Sequence, residues 1–381
     1  MDILKKKVPE TRRKRILATV FDYLDWRGDL SFSAAGLCEA DNLIFSMLSY
    51  LDFSGLVPEE DSAGLPLQDI SPRYFELHPR KKASLGLLLS DDILDLLEKA
   101  ALTPRFGPVR LWGHRSCLDE ERELQFSATA FSLGNGTTFV AYRGTDDTLT
   151  GWKEDFNMAV CCPVPAQEEA RIYLEFAAQC TQDRLTLGGH SKGGNLAVYA
   201  AAFSAPELQQ RIDAVWCNDG PGFLPEMLKS PGFLTIRDRI HALLPRSSVV
   251  GVLLSHDWDT AVVASSAVGA LQHNALTWQV MGPTFVRAEG LSRGSRQVDK
   301  TFHTLLLELS PLQRRQVIDD VFSVGKELGV RTLSELVADG RRRDALRALS
   351  ARLTGLEKDA RESMFRALKA AFQLGDDEEI S

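Results

Sequence analysis

The stretch Arg184–Ala201 joins a short apolar run, a glycine-dense turn and an alanine-rich run. Its turn reads Gly189-His190-Ser191-Lys192-Gly193, which has the spacing G-x-S-x-G. That spacing is typical of a nucleophile elbow, where a serine in a strained turn between strand and helix projects its hydroxyl from the sheet edge. The bare pattern is short enough to occur by chance, so its strand-like and helix-like flanks carry the prediction. We predict Ser191 as a nucleophile; the alternative is a glycine-rich turn with a solvated serine.

A serine hydroxyl is a weak nucleophile until a base accepts its proton, and the base needs an acid that orients it. The histidines that follow the serine in the chain are His241, His256, His273 and His303. His273 comes after a late strand-like run and a glycine, in a loop from which a base reaches the strand ends. We predict His273 as the base, with His256, just before another strand-like run, as the alternative.

Asp219 is the best candidate for the acid that orients the base. It follows the strand-like run Ile212–Cys217, in the sequence Asn218-Asp219-Gly220-Pro221-Gly222. An Asx turn that opens a Gly/Pro loop would explain the same residues without catalysis. Asp257 and Asp259 compete because they lie nearer to His273 in the chain. We predict Asp219 and keep Asp257 as the alternative.

Acyl chemistry also needs donors for the negative charge that develops on the carbonyl oxygen. The backbone N–H of Lys192, directly after the nucleophile, is one natural donor. Thr145, just beyond the strand-like run Thr137–Tyr142, offers a second backbone N–H and a hydroxyl. We expect the Lys192 side chain to face solvent and the His190 ring to turn away from the serine.

The segment 104–295 has the pattern of a sheet with interspersed helices. A Gly134-Asn135-Gly136 turn joins two strand-like runs into a predicted hairpin. Alternation of strands and helices around an elbow indicates the α/β-hydrolase architecture, a mainly parallel sheet with helices on both faces. The predicted strands are Leu124–Leu133, Thr137–Tyr142, Ile212–Cys217, Ile240–Leu244, Thr260–Ser265 and Leu276–Met281, and the predicted helix before the elbow strand is Pro165–Cys180.

Helical segments are predicted on both sides of this core. Residues 1–103 carry helical spacing in Arg12–Trp26, Asp41–Phe53 and Asp91–Leu102, and we expect them to pack on the core or cover the site. Residues 296–381 predict amphipathic helices and a disordered acidic tail, Gly375–Ser381. A lid, an oligomer surface and an interaction module all fit such helices, so the oligomeric state is left open.

Composition excludes several classes of function. A net charge of −8 argues against nucleic acid as the main partner. The basic cluster Lys5–Lys7 and Arg12–Arg15 suits a solvated helix start or weak contact with an anionic membrane surface. No apolar run is long enough to span a bilayer, and the first residues lack a secretory signal. The six cysteines form no CxxC pair or metal-like spacing, so we expect a reduced, cytoplasmic protein without metal or cofactor.

Several of these motifs resemble a known family. Val140-Ala141-Tyr142-Arg143-Gly144-Thr145, with the following Gly151-Trp152 and Asp155, resembles the oxyanion strand and loop of class 3 (fungal-type) lipases. With the elbow, this resemblance covers about residues 124–282. The fuller pattern is similar to a bacterial family of lipase-like α/β-hydrolases, and its further residues are Asn218–Phe223, Gln272-His273, Trp278, Tyr23–Asp29 and Asp41–Phe53. The resemblance implies an esterase or lipase fold with Ser191, an acid and His273 as a triad.

The acid departs from the class 3 pattern. Those lipases place it in a D-x-V-P motif, and the matching place here reads Ser248-Val249-Val250-Gly251. The segment around Asp219 resembles instead the pancreatic-type lipases, whose acid follows the preceding strand. The two strand ends are expected to be neighbours, so a carboxylate at either place reaches the histidine.

The sequence therefore predicts a serine hydrolase that cleaves acyl esters through an acyl-enzyme on Ser191, with a small-molecule or lipid acyl substrate. Amidase, thioesterase and acyltransferase activities use the same triad and remain alternatives. A non-catalytic, hydrolase-like scaffold that binds a partner through its helical flanks is a second alternative. A metal-dependent hydrolase lacks a ligand cluster of suitable spacing.

Overall fold

The computed structural model describes residues 18–60, 62–79, 91–332 and 335. An eight-stranded sheet forms its centre, and the strands lie side by side in chain order. Neighbours are antiparallel over the first four strands and parallel from the fourth to the eighth. The strands are β1 (Leu65–Pro66), β2 (Arg110–Asp119), β3 (Leu124–Ser132), β4 (Thr137–Tyr142), β5 (Arg184–His190), β6 (Ile212–Asn218), β7 (Ile240–Pro245) and β8 (Thr260–Val263).

A small two-stranded sheet, eleven α-helices and several short 3₁₀ helices accompany it in the described ranges. The small sheet pairs β9 (Val280–Met281) with β10 (Thr284–Phe285). The helices are α1 (Val20–Arg27), α2 (Glu39–Leu48), α3 (Leu67–Leu77), α4 (Asp92–Ala101), α5 (Leu149–Asn157), α6 (Pro165–Cys180), α7 (Lys192–Phe203), α8 (Pro206–Gln209), α9 (Pro231–Ile236), α10 (Arg293–Glu308) and α11 (Pro311–Glu327).

Helices cover both faces of the sheet. Along β4 the buried side chains alternate between two cores, as the two-residue period of a strand requires. Val140 and Tyr142 share one core with α6, α7 and α9, while Phe139 and Ala141 share the other with α1, α2 and α4. The parallel strands follow one another in order, and right-handed crossovers then place their connecting helices on a single face. The amino-terminal helices therefore cover the face that the crossovers leave open, and the predicted fold class is confirmed.

Several predicted elements have different bounds in the structure. The strand β2 was not predicted, and the predicted strand Leu276–Met281 is wrong except for its last two residues, which form β9. Residues Ala275–Thr277 instead make a 3₁₀ turn, because the Asn274 side chain accepts the Leu276 N–H at 3.1 Å. The first turns of the predicted helix Arg12–Trp26, the basic cluster and the acidic tail lie outside the described residues.

The carboxyl-terminal helices contact the core next to the elbow. Phe322 of α11 packs edge-on against Phe156 of α5, with ring centroids 5.6 Å apart. Lys153 of α5 pairs with Asp319 of α11 at 2.7 Å. At the start of α10, Ser295 Oγ donates to the backbone oxygen of Ser248 at 2.5 Å. Among the described ranges, no helix combines the length and apolar character needed to cross a bilayer.

Candidate active site

Ser191 occupies a sharp turn between β5 and α7. Its backbone has φ +58° and ψ −132°, a left-handed conformation that costs a non-glycine residue about 1–3 kcal/mol. The crossing of strand and helix is so close that side chains are excluded on both sides. A Cβ at Gly193 would lie 2.1 Å from the Tyr142 carbonyl oxygen, and one at Gly189 would lie 2.3 Å from the Gly193 carbonyl carbon. The sequence folds into this turn because glycines stand where backbones meet.

The structure brings the three predicted triad residues together. His273 Nε2 lies 3.1 Å from Ser191 Oγ, and His273 Nδ1 lies 2.7 Å from Asp219 Oδ2. All three side chains are buried. Ser191 follows β5, Asp219 follows the adjacent β6, and His273 ends a 3₁₀ turn, Gly269–His273, after β8. The arrangement has the connectivity of a hydroxyl, a base and an orienting acid.

Asp219 is held by two donors besides the histidine. Ser248 Oγ donates to Asp219 Oδ1 at 2.5 Å, and the Gly251 N–H donates to the same oxygen at 3.1 Å. Asp219 itself has φ +50° and donates its N–H to the Leu243 carbonyl at 2.8 Å. Ser248 is a residue that the sequence reasoning noted only as the place where the resembled lipases carry their acid. In the structure, Ser248 donates a hydrogen bond to the carboxylate of Asp219, which follows the neighbouring strand β6.

The competing residues make other contacts, although His256 lies near the backbone of Gly220 and Gly251, beside Asp219. Asp257 is exposed and its Oδ2 lies 3.7 Å from Arg237 Nη1. The His256 ring packs edge-on against Trp258, with centroids 5.2 Å apart. The His241 ring stacks on Trp216 at 4.5 Å. Asp259 and His303 are exposed.

Thr145 lies in the loop that follows β4, beside the elbow. Tyr142 pairs with Gly189 across the parallel strands, so both chains leave the sheet at the same level. The Thr145 hydroxyl donates to Asp155 Oδ2 at 2.5 Å. Burial raises the pKa of Asp155 to about 7, against the opposing effect of the nearby Lys192 ammonium. While Asp155 is ionised, the Thr145 hydroxyl donates its proton to this carboxylate. The backbone N–H is then the group with which Thr145 can donate to a substrate oxygen.

The prediction for the Lys192 side chain is wrong. It is buried, and its Nζ donates to Gln125 Oε1 at 2.6 Å, to the Gln125 carbonyl at 2.8 Å and to Glu154 Oε2 at 3.0 Å. Glu154 also accepts the Gln125 N–H at 3.0 Å and, through Oε1, the Ala166 N–H at 2.7 Å. This ion pair joins the first residue of α7 to β3, α5 and the start of α6. Such a pair is tolerated in the interior because further hydrogen bonds satisfy both charges.

The backbone N–H of Lys192 lies directly after the nucleophile, at the start of α7. Lys192 is the first residue of α7, so no preceding turn of the helix supplies an acceptor for its N–H. The positive end of the helix dipole adds to the attraction of this position for an anion. Within the described ranges, no group of three His, Cys, Asp or Glu side chains is placed to hold a metal ion.

The sheet, its helices on both faces and the elbow at the end of β5 define an α/β-hydrolase fold. The chain belongs to the Mbeg1-like family, whose model matches residues 100–323. Comparison with curated proteins gave no match.

Solved lipases resemble the chain at low identity. The Rhizomucor miehei lipase in its propeptide complex is 13% identical, with a TM-score of 0.31 over 41% of this chain and 57% of that one. The chain therefore spans little more than half the length of that lipase. M37 lipase is 15% identical, with a TM-score of 0.38 over 57% of this chain and 70% of the lipase. The lipase from Rhizopus microsporus var. chinensis is 12% identical, with a TM-score of 0.33 over 69% and 84%.

Proposed function

We propose that the protein is a serine hydrolase that cleaves acyl esters through an acyl-enzyme on Ser191. The observation that carries the proposal is the hydrogen-bonded chain from Ser191 Oγ through the His273 imidazole to Asp219, with its 3.1 Å and 2.7 Å contacts. The strained backbone at Ser191 supports it, because strain of this kind concentrates at functional sites.

In the first half-reaction, Ser191 Oγ attacks the ester carbonyl carbon while His273 Nε2 accepts the hydroxyl proton. The carbonyl oxygen becomes an oxyanion, which the backbone N–H groups of Lys192 and Thr145 stabilise. Each such donor is worth about 2.7–4 kcal/mol in the transition state. Asp219 holds the imidazole in the tautomer that presents a bare Nε2 to the serine and stabilises the imidazolium that forms.

The tetrahedral intermediate then expels the alcohol, which takes the proton from His273 Nε2, and the acyl group stays on Ser191 as an ester. In the second half-reaction, His273 accepts a proton from water as the water oxygen attacks the acyl carbon. Breakdown of the second tetrahedral intermediate releases the carboxylic acid and returns the proton to Ser191 Oγ. The cycle consumes one water for each ester and needs no metal or redox partner.

The test compares wild type with Ser191→Ala on p-nitrophenyl esters of graded chain length and on a fluorophosphonate probe. We expect the variant to lose turnover by at least about 10³-fold and to lose labelling, because it removes the attacking oxygen. Ser204→Ala is the matched control. Ser204 is also buried, lies just beyond the other end of α7 and donates only to the Ala201 carbonyl, at 3.0 Å. Probe labelling that persists in Ser191→Ala would refute the assigned nucleophile, and an unlabelled wild type would refute the hydrolase.

A further inference from the structure

His190, the residue before the nucleophile, packs its ring against the imidazole ring of His273. Its ring lies against the His273 ring, with centroids 4.6 Å apart and planes inclined at 39°. His190 Nε2 lies 2.8 Å from the His273 carbonyl oxygen, and His190 Nδ1 lies 2.9 Å from the Tyr50 hydroxyl. All three side chains are buried. Tyr50, in the turn after α2, is thus linked through one ring to the backbone of His273.

These contacts fix the protonation of His190. A carbonyl oxygen only accepts, so Nε2 carries the proton and donates to His273. Nδ1 is then the acceptor for the Tyr50 hydroxyl. Burial and the neighbouring His273 lower the pKa of His190 well below its usual value, and burial raises that of Tyr50. The ring therefore stays neutral and Tyr50 keeps its proton, so neither donor is lost near neutral pH.

The Tyr50 hydroxyl also lies between the two loops that meet at the site. A Cβ at Gly144, next to Thr145, would lie 2.0 Å from the Tyr50 oxygen and 2.6 Å from the His190 carbonyl oxygen. The hydroxyl therefore packs directly against the loop that follows β4 as well as against the elbow. A substituent there would move one loop relative to the other.

The helix before Tyr50 makes a matching contact behind the acid. Asn42 and Ser46 of α2 both bond Asn218, the residue before Asp219. Asn218 Nδ2 lies 3.1 Å from Asn42 Oδ1 and 3.2 Å from Ser46 Oγ, and Asn42 Nδ2 donates to Asn218 Oδ1 at 3.0 Å. Residues 42–50 thus hold the residues preceding both the nucleophile and the acid.

We propose that Tyr50 and His190 are positioning residues, which hold the His273 imidazole on the line between Ser191 and Asp219 through the His273 carbonyl. The turn that carries His273 is held at its end by this contact, together with the side-chain contact to Asp219. Neither residue touches the reacting atoms, and both act through the placement of the imidazole. The proposal rests on the proposed function for its kinetic consequence but not for its geometry.

Tyr50→Phe is the direct test, because it removes one hydroxyl and keeps the ring. We expect kcat for p-nitrophenyl esters to fall about tenfold with KM nearly unchanged, since small displacements of a catalytic group are costly. Fluorophosphonate labelling should slow by the same factor. Tyr23→Phe is the matched control, because Tyr23 is a buried tyrosine of the same helical region whose hydroxyl donates to Asp41 at 2.7 Å. It should lower the melting temperature comparably and leave kcat unchanged.

Two substitutions at His190 separate positioning from simple packing. His190→Gln keeps a donor near the place of Nε2, whereas His190→Phe keeps a ring but has no donor. We expect His190→Gln to retain several-fold more kcat than His190→Phe at similar thermal stability. Equal kcat in the two variants, or a Tyr50→Phe enzyme as active as Tyr23→Phe, would overturn the proposal.

A measurement that needs no turnover separates this proposal from the proposed function. The His273 Nδ1 proton, bonded to Asp219, should give a downfield proton NMR signal, and the absence of that signal in His273→Gln would assign it. We expect the signal to weaken or shift in Tyr50→Phe and to persist in Tyr23→Phe. A wild type without esterase activity or labelling would overturn the proposed hydrolase function. The NMR signal would still test whether Tyr50 and His190 position the His273 imidazole. An identical signal in Tyr50→Phe and wild type would overturn the positioning role whatever the activity.

Discussion

Asp219 and Ser248 follow adjacent strands, and one hydrogen bond of 2.5 Å joins them. The carboxylate belongs to the end of β6, and the serine stands at the corresponding place after β7. Ser248 Oγ donates to Asp219 Oδ1 while His273 Nδ1 contacts Asp219 Oδ2, so the serine holds the carboxylate that faces the imidazole. Asp219 therefore receives the hydrogen bonds that a buried carboxylate needs, from Ser248 Oγ and the Gly251 N–H.

Asp219→Asn should lower kcat/KM by about 10²–10⁴-fold. The amide cannot stabilise the imidazolium, and its NH₂ group facing Nδ1 favours the tautomer whose Nε2 already carries a proton. Asp257→Asn is the control, since Asp257 is exposed and pairs only weakly with Arg237, at 3.7 Å. Its activity should stay within about twofold of wild type, as for most exposed ion pairs. The reverse order of the two variants would mean that the acid is misassigned.

The residue types of the site were readable from the sequence, but their contacts were not. G-x-S-x-G, a late histidine and a carboxylate at a strand end each have a local signature. The buried side chain of Lys192 is an example of a contact that could not be predicted from the sequence. Nothing near it in the chain reveals that Gln125 and Glu154, 67 and 38 residues earlier, will supply partners for its ammonium. A buried lysine is predictable only when the partners brought by the tertiary fold are known.

At the scale of elements, the elbow depends on how closely α7 crosses β4. Gly193→Ala should lower the free energy of unfolding by about 3 kcal/mol or more, because its Cβ would meet the backbone oxygen of Tyr142 at 2.1 Å. A backbone atom at the end of a central strand cannot yield as a flexible side chain would. Urea unfolding of the variant measures the loss.

Gly36→Ala provides the comparison for that variant, since a Cβ at Gly36 meets no atom within 4 Å. It should leave the free energy of unfolding within about 0.5 kcal/mol of wild type. A Gly193→Ala protein as stable as Gly36→Ala would show that the elbow relaxes more readily than its contacts indicate.

Elements with regular patterns were predicted closely, and those shaped by tertiary contacts were not. Predicted Leu124–Leu133 and Pro165–Cys180 correspond to β3 and α6 almost to the residue. β2 escaped prediction because its second half is largely exposed and polar, and because its pairing with β3 shifts register between Trp112 and Arg115. A strand of that kind can be identified from its pairing with a neighbouring strand, and not from alternation of apolar and polar residues in its own sequence.

On the scale of the whole molecule, the amino-terminal and carboxyl-terminal helices lie against different parts of the site. Residues 42–50 contact the elbow and the Asn218 side chain, while α11 packs on α5, the helix that carries Asp155. The sequence predicted helices in both places and gave no sign of Tyr50. A single buried hydroxyl has no local signature, and its role depends on a contact 140 residues along the chain.

Asp155 links this packing to the pH dependence of folding. Its pKa is about 7 in the folded protein against 3.8 for an unperturbed carboxyl, so the folded state binds its proton more tightly than the unfolded state. The resulting stabilisation is complete below the unfolded pKa and is lost as the pH rises through the folded pKa. The free energy of unfolding of wild type, relative to Asp155→Asn, should therefore fall by about 2 kcal/mol between about pH 5.5 and 8. All other titrating groups are common to both proteins, so urea unfolding of the pair across this range isolates Asp155. A difference that stays constant with pH would mean that the carboxylate is ionised throughout, held by Thr145 and the Lys192 ammonium 3.9 Å away.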